Sequence, residues 1–256
     1  MITIKSAADI RKMDESGRIV EETLNLLAKE ARVGMRTSEL DDMAREFIRS
    51  RGAEPSFLGY EGYPASICTS VNRQVVHGIP GKYRLKEGDI LSVDVGAVKD
   101  GFHGDAARTI AIGEIDEETA ELVRVTKECF FEALKVAVPG NRLSDIGRTV
   151  QHHAESHGYG VVRELVGHGI GRAMHEEPDV PNYWDARRFG HGARLMPGMV
   201  IAIEPMINLG TANVVQLDDG WTVETADGKP SAHYENTVAI TENGPRLLTL
   251  HEEGAV

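Results

Sequence analysis

Four carboxylates and two histidines stand out by position rather than by number. Asp94 closes the stretch Ile90-Leu-Ser-Val-Asp94, and Glu204 closes Val200-Ile-Ala-Ile-Glu204. Asp105 follows in His103-Gly-Asp105, and Glu235 in His233-Tyr-Glu235. Strands disfavour Asp, so any one of these alone reads as a strand-end charge reaching solvent. Four at matched positions read differently. Two carboxylates about 4 Å apart repel by roughly 4 kcal/mol at an effective dielectric near 20, so a converging set needs shared protons or cations. His77 and His168 recur in the same pattern, in Val76-His-Gly-Ile79 and Gly167-His-Gly-Ile170. A mixed Asp, Glu and His set suits Mn²⁺, Fe²⁺, Co²⁺ or Zn²⁺, and pairs of such ions serve hydrolysis.

The matching is a property of the whole chain. Leu85-Lys-Glu-Gly88 leads to Asp94 as Leu195-Met-Pro-Gly198 leads to Glu204. Upstream, Gly34-Met-Arg36-Thr-Ser38-Glu-Leu40 corresponds to Gly140-Asn-Arg142-Leu-Ser144-Asp-Ile146. Downstream, Thr109-Ile-Ala-Ile112 corresponds to Thr237-Val-Ala-Ile240. Four matches in one order indicate an internal duplication, with halves at roughly 5–112 and 116–246. The connection Gly113-Glu-Ile-Asp116 is too short for a linker, so residues 1–256 are expected to form a single catalytic domain.

Each half opens with helices. Ser6 and Asp9 make a capping-box pattern ahead of an amphipathic stretch ending near Ala31. Leu40, Met43, Ala44, Phe47 and Ile48 form a helical stripe starting near Ser38. A helix over about 116–137 and a stripe of Ile146, Thr149, Val150, His153 and Ala154 repeat the arrangement. Strands follow: 90–98 and 102–112 about the Asp100-Gly101 turn, then 199–207 and 231–240. Helices followed by antiparallel strands, twice, predict an α+β fold with pseudo-twofold symmetry that brings both carboxylate strands to the axis.

Other candidates carry less. His175, in Met174-His-Glu-Glu-Pro178, resembles the start of an HExxH zinc helix, but residue 179 is Asp and Pro178 would break the helix. His153 and His157 read as structural, and His191 as a surface-loop residue. Cys68 reads as a small hydrophobe on a strand. The composition excludes other classes. With 40 acidic and 28 basic residues, the chain lacks the cationic surplus that nucleic acid or anionic membrane requires. No apolar run approaches a membrane span of roughly 18 residues. The two cysteines form no CxxC pair, which suits a reducing compartment, and the N-terminus has no signal pattern. A cytoplasmic monomer is expected, with no DNA and no membrane partner.

The order His77, Asp94, Asp105, His168, His175, Glu204, Glu235 resembles the type I methionine aminopeptidases. The likeness runs from the first helix to about Leu250. Its motifs are Val-Val-His77-Gly-Ile-Pro, Ser-Val-Asp94-Val-Gly, Asp100-Gly-Phe-His-Gly-Asp105, Gly-His168-Gly-Ile-Gly, His175-Glu-Glu-Pro, Ile-Glu204-Pro-Met and Tyr-Glu235-Asn-Thr. The resemblance implies the pita-bread fold and two divalent metal ions (Co, Mn, Fe or Zn) held by Asp94, Asp105, His168, Glu204 and Glu235. It implies removal of the N-terminal methionine from nascent polypeptide N-termini when the second residue is small. His175 would meet the developing oxyanion, Glu204 would shuttle the proton, and His77 would contact the scissile nitrogen or the residue after it. Tyr60, Tyr63, Cys68, Met174 and Trp221 would form the methionine pocket. Phe57 and Met174 depart from the Cys and Phe common there, and core packing is an equal reading for Phe57. A monovalent cation near Asn72 and Ser231 and transient ribosome contact belong to the same expectation. The rivals are an X-Pro aminopeptidase or prolidase and a non-catalytic pita-bread binding protein. The stretch 181–195 is expected as a surface loop near the site mouth.

Overall fold

The computed structural model describes residues 1–251 of the 256. Four long helices run close to their expected bounds: α1 (Ala7–Glu30), α2 (Thr37–Ser50), α3 (Glu117–Val136) and α4 (Leu143–Ser156). Local chemistry sets their starts. Asp9 N–H donates to Ser6 Oγ at 3.2 Å while Ser6 N–H donates to Asp9 at 3.0 Å, satisfying two free donors reciprocally. The later helix of each half is opened the same way: Arg36 N–H donates to Glu39 at 2.7 Å, and Arg142 N–H to Asp145 at 2.8 Å. Asp116 caps α3 by accepting from Thr119 N–H.

The first half supplies β1 (Glu54–Pro55), β2 (Ile67–Val71), β3 (Gln74–Val76), β4 (Asp89–Lys99) and β5 (Phe102–Ile112). The long β4–β5 hairpin turns at Asp100 and Gly101, both at positive φ. In its register Asp94 pairs with Ala107, and Asp105 with Gly96. Alternation still puts both acids on one face of the sheet, two residues out of step.

The second half supplies β6 (Gly160–Val161), β7 (Gly167–Gly169), β8 (Glu176–Val180), β9 (Val200–Ile203), β10 (Met206–Asn208), β11 (Val214–Gln216), β12 (Val223–Thr225), β13 (Ser231–His233), β14 (Asn236–Thr241) and β15 (Gly244–Leu247). The continuous strands expected over 199–207 and 231–240 are each cut at their carboxylate. Pro205 has no N–H for a ladder, so β9 and β10 separate at Glu204-Pro205. Glu235 leaves the β13–β14 line because its main chain pairs with the other half. Its N–H donates to the Ala107 carbonyl at 3.0 Å, and its carbonyl accepts from Ala107 N–H at 3.3 Å. That seam joins the β4–β5 sheet to the sheet ordered β15-β14-β9-β7-β8. The strands β3 and β12 also pair across the halves.

Each helix pair buries its apolar stripe on its own sheet. Leu24, Leu27, Leu40 and Ile48 pack with Ile67, Leu91 and Val95, and Leu122, Phe130, Ile146 and Val150 with Ile201, Ile203 and Val238. Residues 181–195 are largely irregular and exposed, as a surface loop would be, but they are seated on the second core. They hold a short helix, Ala186–Phe189, and Tyr183, Trp184 and Phe189 pack on the second core, where the aromatic side chains bury more area than a solvated loop would. Among the described residues no helix is long and apolar enough to cross a membrane.

The tail is seated on α1 through a glycine. A Cβ at Gly17 would lie 1.8 Å from the Leu248 carbonyl oxygen, and one at Gly104 would lie 2.9 Å from Gly17 N. In an exposed helix Gly→Ala gains up to about 1 kcal/mol. Here the backbone contact reverses the sign, and Gly17→Ala is expected to destabilise by about 2–3 kcal/mol. A lower urea midpoint at unchanged slope would register the loss; a higher midpoint would contradict the packing.

Candidate metal centre

The seam between the halves carries the acids inward. Asp105 and Glu235 are 3% and 2% exposed. The seam is pinned by Thr237, whose hydroxyl accepts from Asp105 N–H at 3.0 Å and donates to the Asp105 carbonyl at 2.8 Å. Thr109 makes the mirror pair, donating to the His233 carbonyl and accepting from His233 N–H, both at 2.9 Å. Beneath the site, buried Arg108 donates to the Glu235 carbonyl at 2.5 Å and to Asn236 Oδ1 at 2.7 Å, with Tyr234 stacked on its guanidinium at 4.3 Å. The backbone that presents Glu235 is therefore held by a cation as well as by a strand.

The histidines converge on the same point. His168 donates from Nδ1 to the Gly169 carbonyl at 2.9 Å, which fixes the tautomer and leaves Nε2 bare. That Nε2 stands 3.7 Å from both Asp105 Oδ2 and Glu204 Oε1. His175 sits over it, ring centroids 4.2 Å apart, and shares a 2.7 Å hydrogen bond with the Tyr60 hydroxyl. As Pro178 and Asp179 required, no zinc helix forms at His175: Glu176–Val180 is strand, and Glu176 pairs with buried Lys5 at 2.7 Å. His77 is held at φ 59°, an uncommon backbone state for a residue with a side chain, as functional positions often show. Gly78 permits it, since a Cβ there would lie 2.3 Å from the Thr69 carbonyl oxygen.

Burial and crowding set the protonation. Burial, then the neighbouring acids, push Asp94, Glu204 and Glu235 well above the usual carboxylate range, and burial raises Asp105 to about 7. Burial, then His175, brings His77 down to about 4; burial, then His168, brings His175 to about 4. The imidazoles are therefore neutral near pH 7, with nitrogen lone pairs available. Oδ1 of Asp94, Oδ1 of Asp105 and Oε1 of Glu235 are buried without any hydrogen-bond partner. Unpaired buried carboxylate oxygens are costly in a native fold. A divalent cation would satisfy them, and the donor set of carboxylates plus a bare imidazole fits one.

The acids and histidines floor a cavity of about 220 Å³ whose other wall is apolar. Phe57, Tyr63, Cys68 and Met174 are buried together there, with Tyr60 and Trp221 packed against them. Tyr63 donates to the Ile67 and Gly78 carbonyls and meets Trp221 edge-on at 5.0 Å. Phe57 lies so close to β4 that a Cβ at Gly96 would be 2.6 Å from its ring. Burial, then Asp94, raises the Cys68 thiol well above its ordinary value, so it stays a neutral wall atom. Thus His77, Asp94, Asp105, His168, His175, Glu204 and Glu235 line one cavity with the six pocket residues. Asn72 and Ser231 lie away from it, joined by a 2.9 Å main-chain bond.

The model of metallopeptidase family M24 matches residues 11–242. The chain belongs to the M24 metallopeptidases. A methionine aminopeptidase of Clostridium acetobutylicum is 57% identical over 98% of this chain and 100% of its own length. One from Bacillus subtilis is 48% identical over 97% of this chain and 99% of its own. The crystal structure of methionine aminopeptidase from Thermotoga maritima superposes with a TM-score of 0.95 at 45% identity, covering 98% of this chain and 100% of that one. Prolidase from Pyrococcus furiosus shares the fold at a TM-score of 0.80 and 24% identity. The M24 fold is thus the α+β pita-bread architecture expected of the duplication.

Sequence reasoning passed over two residues. His233 is 2% exposed and turns Nε2 toward Glu204 and Glu235 at 3.9 and 3.6 Å. The strand period offered a signal, because residues 233 and 235 fall on one face. Arg108 gave none, since its partners arrive from the other half.

Proposed function

We propose that this M24 protein is a methionyl aminopeptidase that removes the N-terminal methionine from nascent polypeptides and prefers a small second residue. The observation that carries the reading is the cavity itself: buried carboxylates with unpartnered oxygens at its floor, and a thioether-sized apolar wall beside them. Asp94, Asp105, His168, Glu204 and Glu235 would hold two divalent ions, Co, Mn, Fe or Zn. When bound, such a pair acidifies a water for attack on the scissile carbonyl and anchors the free amino end.

The chain's own residues do the rest. Tyr63, Cys68, Met174, Trp221, Tyr60 and Phe57 receive the methionine side chain, whose sulfur suits aromatic edges and soft walls. His175, aligned by Tyr60, donates to the developing oxyanion. Glu204 carries the proton from attacking water to leaving amine, a task suited to a carboxyl whose pKa is raised by burial. His77, neutral and half-buried at the cavity edge, meets the scissile nitrogen or the residue beyond it. A monovalent cation at the Asn72–Ser231 junction, a cytoplasmic setting, a monomeric state and transient contact with the ribosome complete the proposal.

The test supplies Mn²⁺, Co²⁺ or Fe²⁺ to the full chain and offers Met-Ala-Ser and Ala-Pro-Ala, with and without chelator. Methionine release that chelator stops is the expected result. Cleavage of the proline peptide alone would establish an X-Pro enzyme, and no turnover with any metal a binding protein. Replacing the oxyanion donor is a sharper probe. His175→Ala should lower kcat by about 10²–10³ with KM little changed, and a loss confined to KM would remove His175 from that role.

A further inference from the structure

We propose that His233 supplies a metal ligand, so that each of the two ions in this chain is held by its own imidazole. The inference rests on the dinuclear reading above. Two groups of donor atoms at the carboxylate cluster each fall within 4.8 Å of one another: Asp105, His168 and Glu235, and Asp94, His233 and Glu235. Each group has one Asp and one His, and Glu235 is common to both. The five residues of the proposed function place an imidazole beside the first group alone.

His233 Nε2 is buried and has no hydrogen-bond partner. Its distances to Glu235 and Glu204, 3.6 and 3.9 Å, are too long for hydrogen bonds. They are what a shared cation would bridge, because two atoms each about 2.1 Å from one centre stand at most about 4.2 Å apart. His168, whose Nε2 faces its acids at 3.7 Å, has the same relation to the other group. The main chain at His233 is fixed from the first half, since Thr109 holds both its N–H and its carbonyl. The repeat shows why this histidine is free for the task. Its counterpart His103 spends Nδ1 on Ser56 Oγ at 2.9 Å and belongs to neither donor group.

An imidazole in place of a further oxygen makes the second site softer. It should therefore favour Co²⁺, Fe²⁺ or Zn²⁺ over Mn²⁺ more than an all-carboxylate site would.

Titration of the metal-stripped full chain with Co²⁺, followed by calorimetry, reads the two binding events separately. In His233→Gln and His233→Ala one event should weaken at least tenfold and the other stay within twofold. His168→Ala should weaken the opposite event. X-ray absorption of the protein carrying two Co²⁺ should count two imidazoles per pair in the natural sequence and one in His233→Gln. Dissociation constants unchanged in both His233 variants, loss of the same event as in His168→Ala, or a count of one imidazole in the natural sequence would each overturn the proposal. The count in the natural sequence decides the matter even where a variant fails to fold. A chain that binds fewer than two ions would instead overturn the dinuclear reading beneath it.

Discussion

Asp105→Asn is expected to lose methionine release by about three orders of magnitude or more while remaining folded. Asp105 contributes to the site from both directions: its Oδ1 is unpartnered and its Oδ2 faces His168. An amide keeps the shape but removes the charge that several kcal/mol of cation stabilisation would depend on, and 1.4 kcal/mol is tenfold in rate. The main chain is untouched, since Thr237 binds the backbone of residue 105 rather than its carboxylate. Removing one of the crowded charges also relieves repulsion. The metal-stripped variant should therefore melt no lower than the metal-stripped natural chain at pH 8, and added Mn²⁺ should raise its Tm less. Full turnover in the variant would show that the catalytic centre lies elsewhere.

The second large effect is on stability against pH. In metal-stripped protein, Asp105 is raised from 3.8 to about 7, and Asp94, Glu204 and Glu235 are raised well above their ordinary values. A carboxyl whose folded pKa exceeds its unfolded one holds its proton longer in the native state. Its contribution is complete below the unfolded pKa and disappears as pH rises through the folded pKa. The histidines act in the opposite sense. His77, His175 and His233, lowered to about 4, 4 and 3, favour the fold above 6.5 and penalise it as pH falls toward those values. The two sets oppose each other between about pH 4 and 6.5, where no simple slope is expected.

Above pH 6.5 the histidines approach neutrality in both states, and the carboxyl contribution dominates. Tm of chelator-treated protein should therefore fall from pH 6.5 to 8.5. One proton held over one pH unit is about 1.4 kcal/mol, or roughly 2–4 °C for a chain of this length. Several coupled groups should make the drop about 5 °C or more. Divalent metal removes the repulsion, so the Tm gained on adding Mn²⁺ should grow with pH. A flat Tm above pH 6.5 after chelation would mean that the acids are not crowded as the structure places them.

The two halves differ in how far the chain announces its shape. Helix bounds were legible because caps and stripes are local: Ser6 with Asp9 and Asp116 with Thr119 lie within one turn. The hairpin was legible for the same reason, since Asp100-Gly101 takes the positive φ that its turn requires. The breaks at Glu204-Pro205 and Tyr234-Glu235 were not. Pro205 carried a hint, but the departure of Glu235 is caused by Ala107, 128 positions away in the other half. Residues 181–195 form the surface loop expected, but its seating against buried Tyr183 and the second core left no local pattern.

The acidic and histidine residues themselves were legible through repetition. Asp94 and Glu204, Asp105 and Glu235, and His77 and His168 announce themselves in pairs, because a duplicated chain keeps its strand positions when its loops drift. The duplication by itself therefore determined which acids belong together and that they face a common axis. Only the tertiary structure decided their spacing, their burial and the nitrogen each histidine turns inward. Those depend on desolvation and on contacts across the seam, which no local pattern encodes. His233 shows the difference most plainly. In sequence it is the equal of His103, yet one ring is hydrogen-bonded to Ser56 and the other turns an unpartnered nitrogen toward the acids.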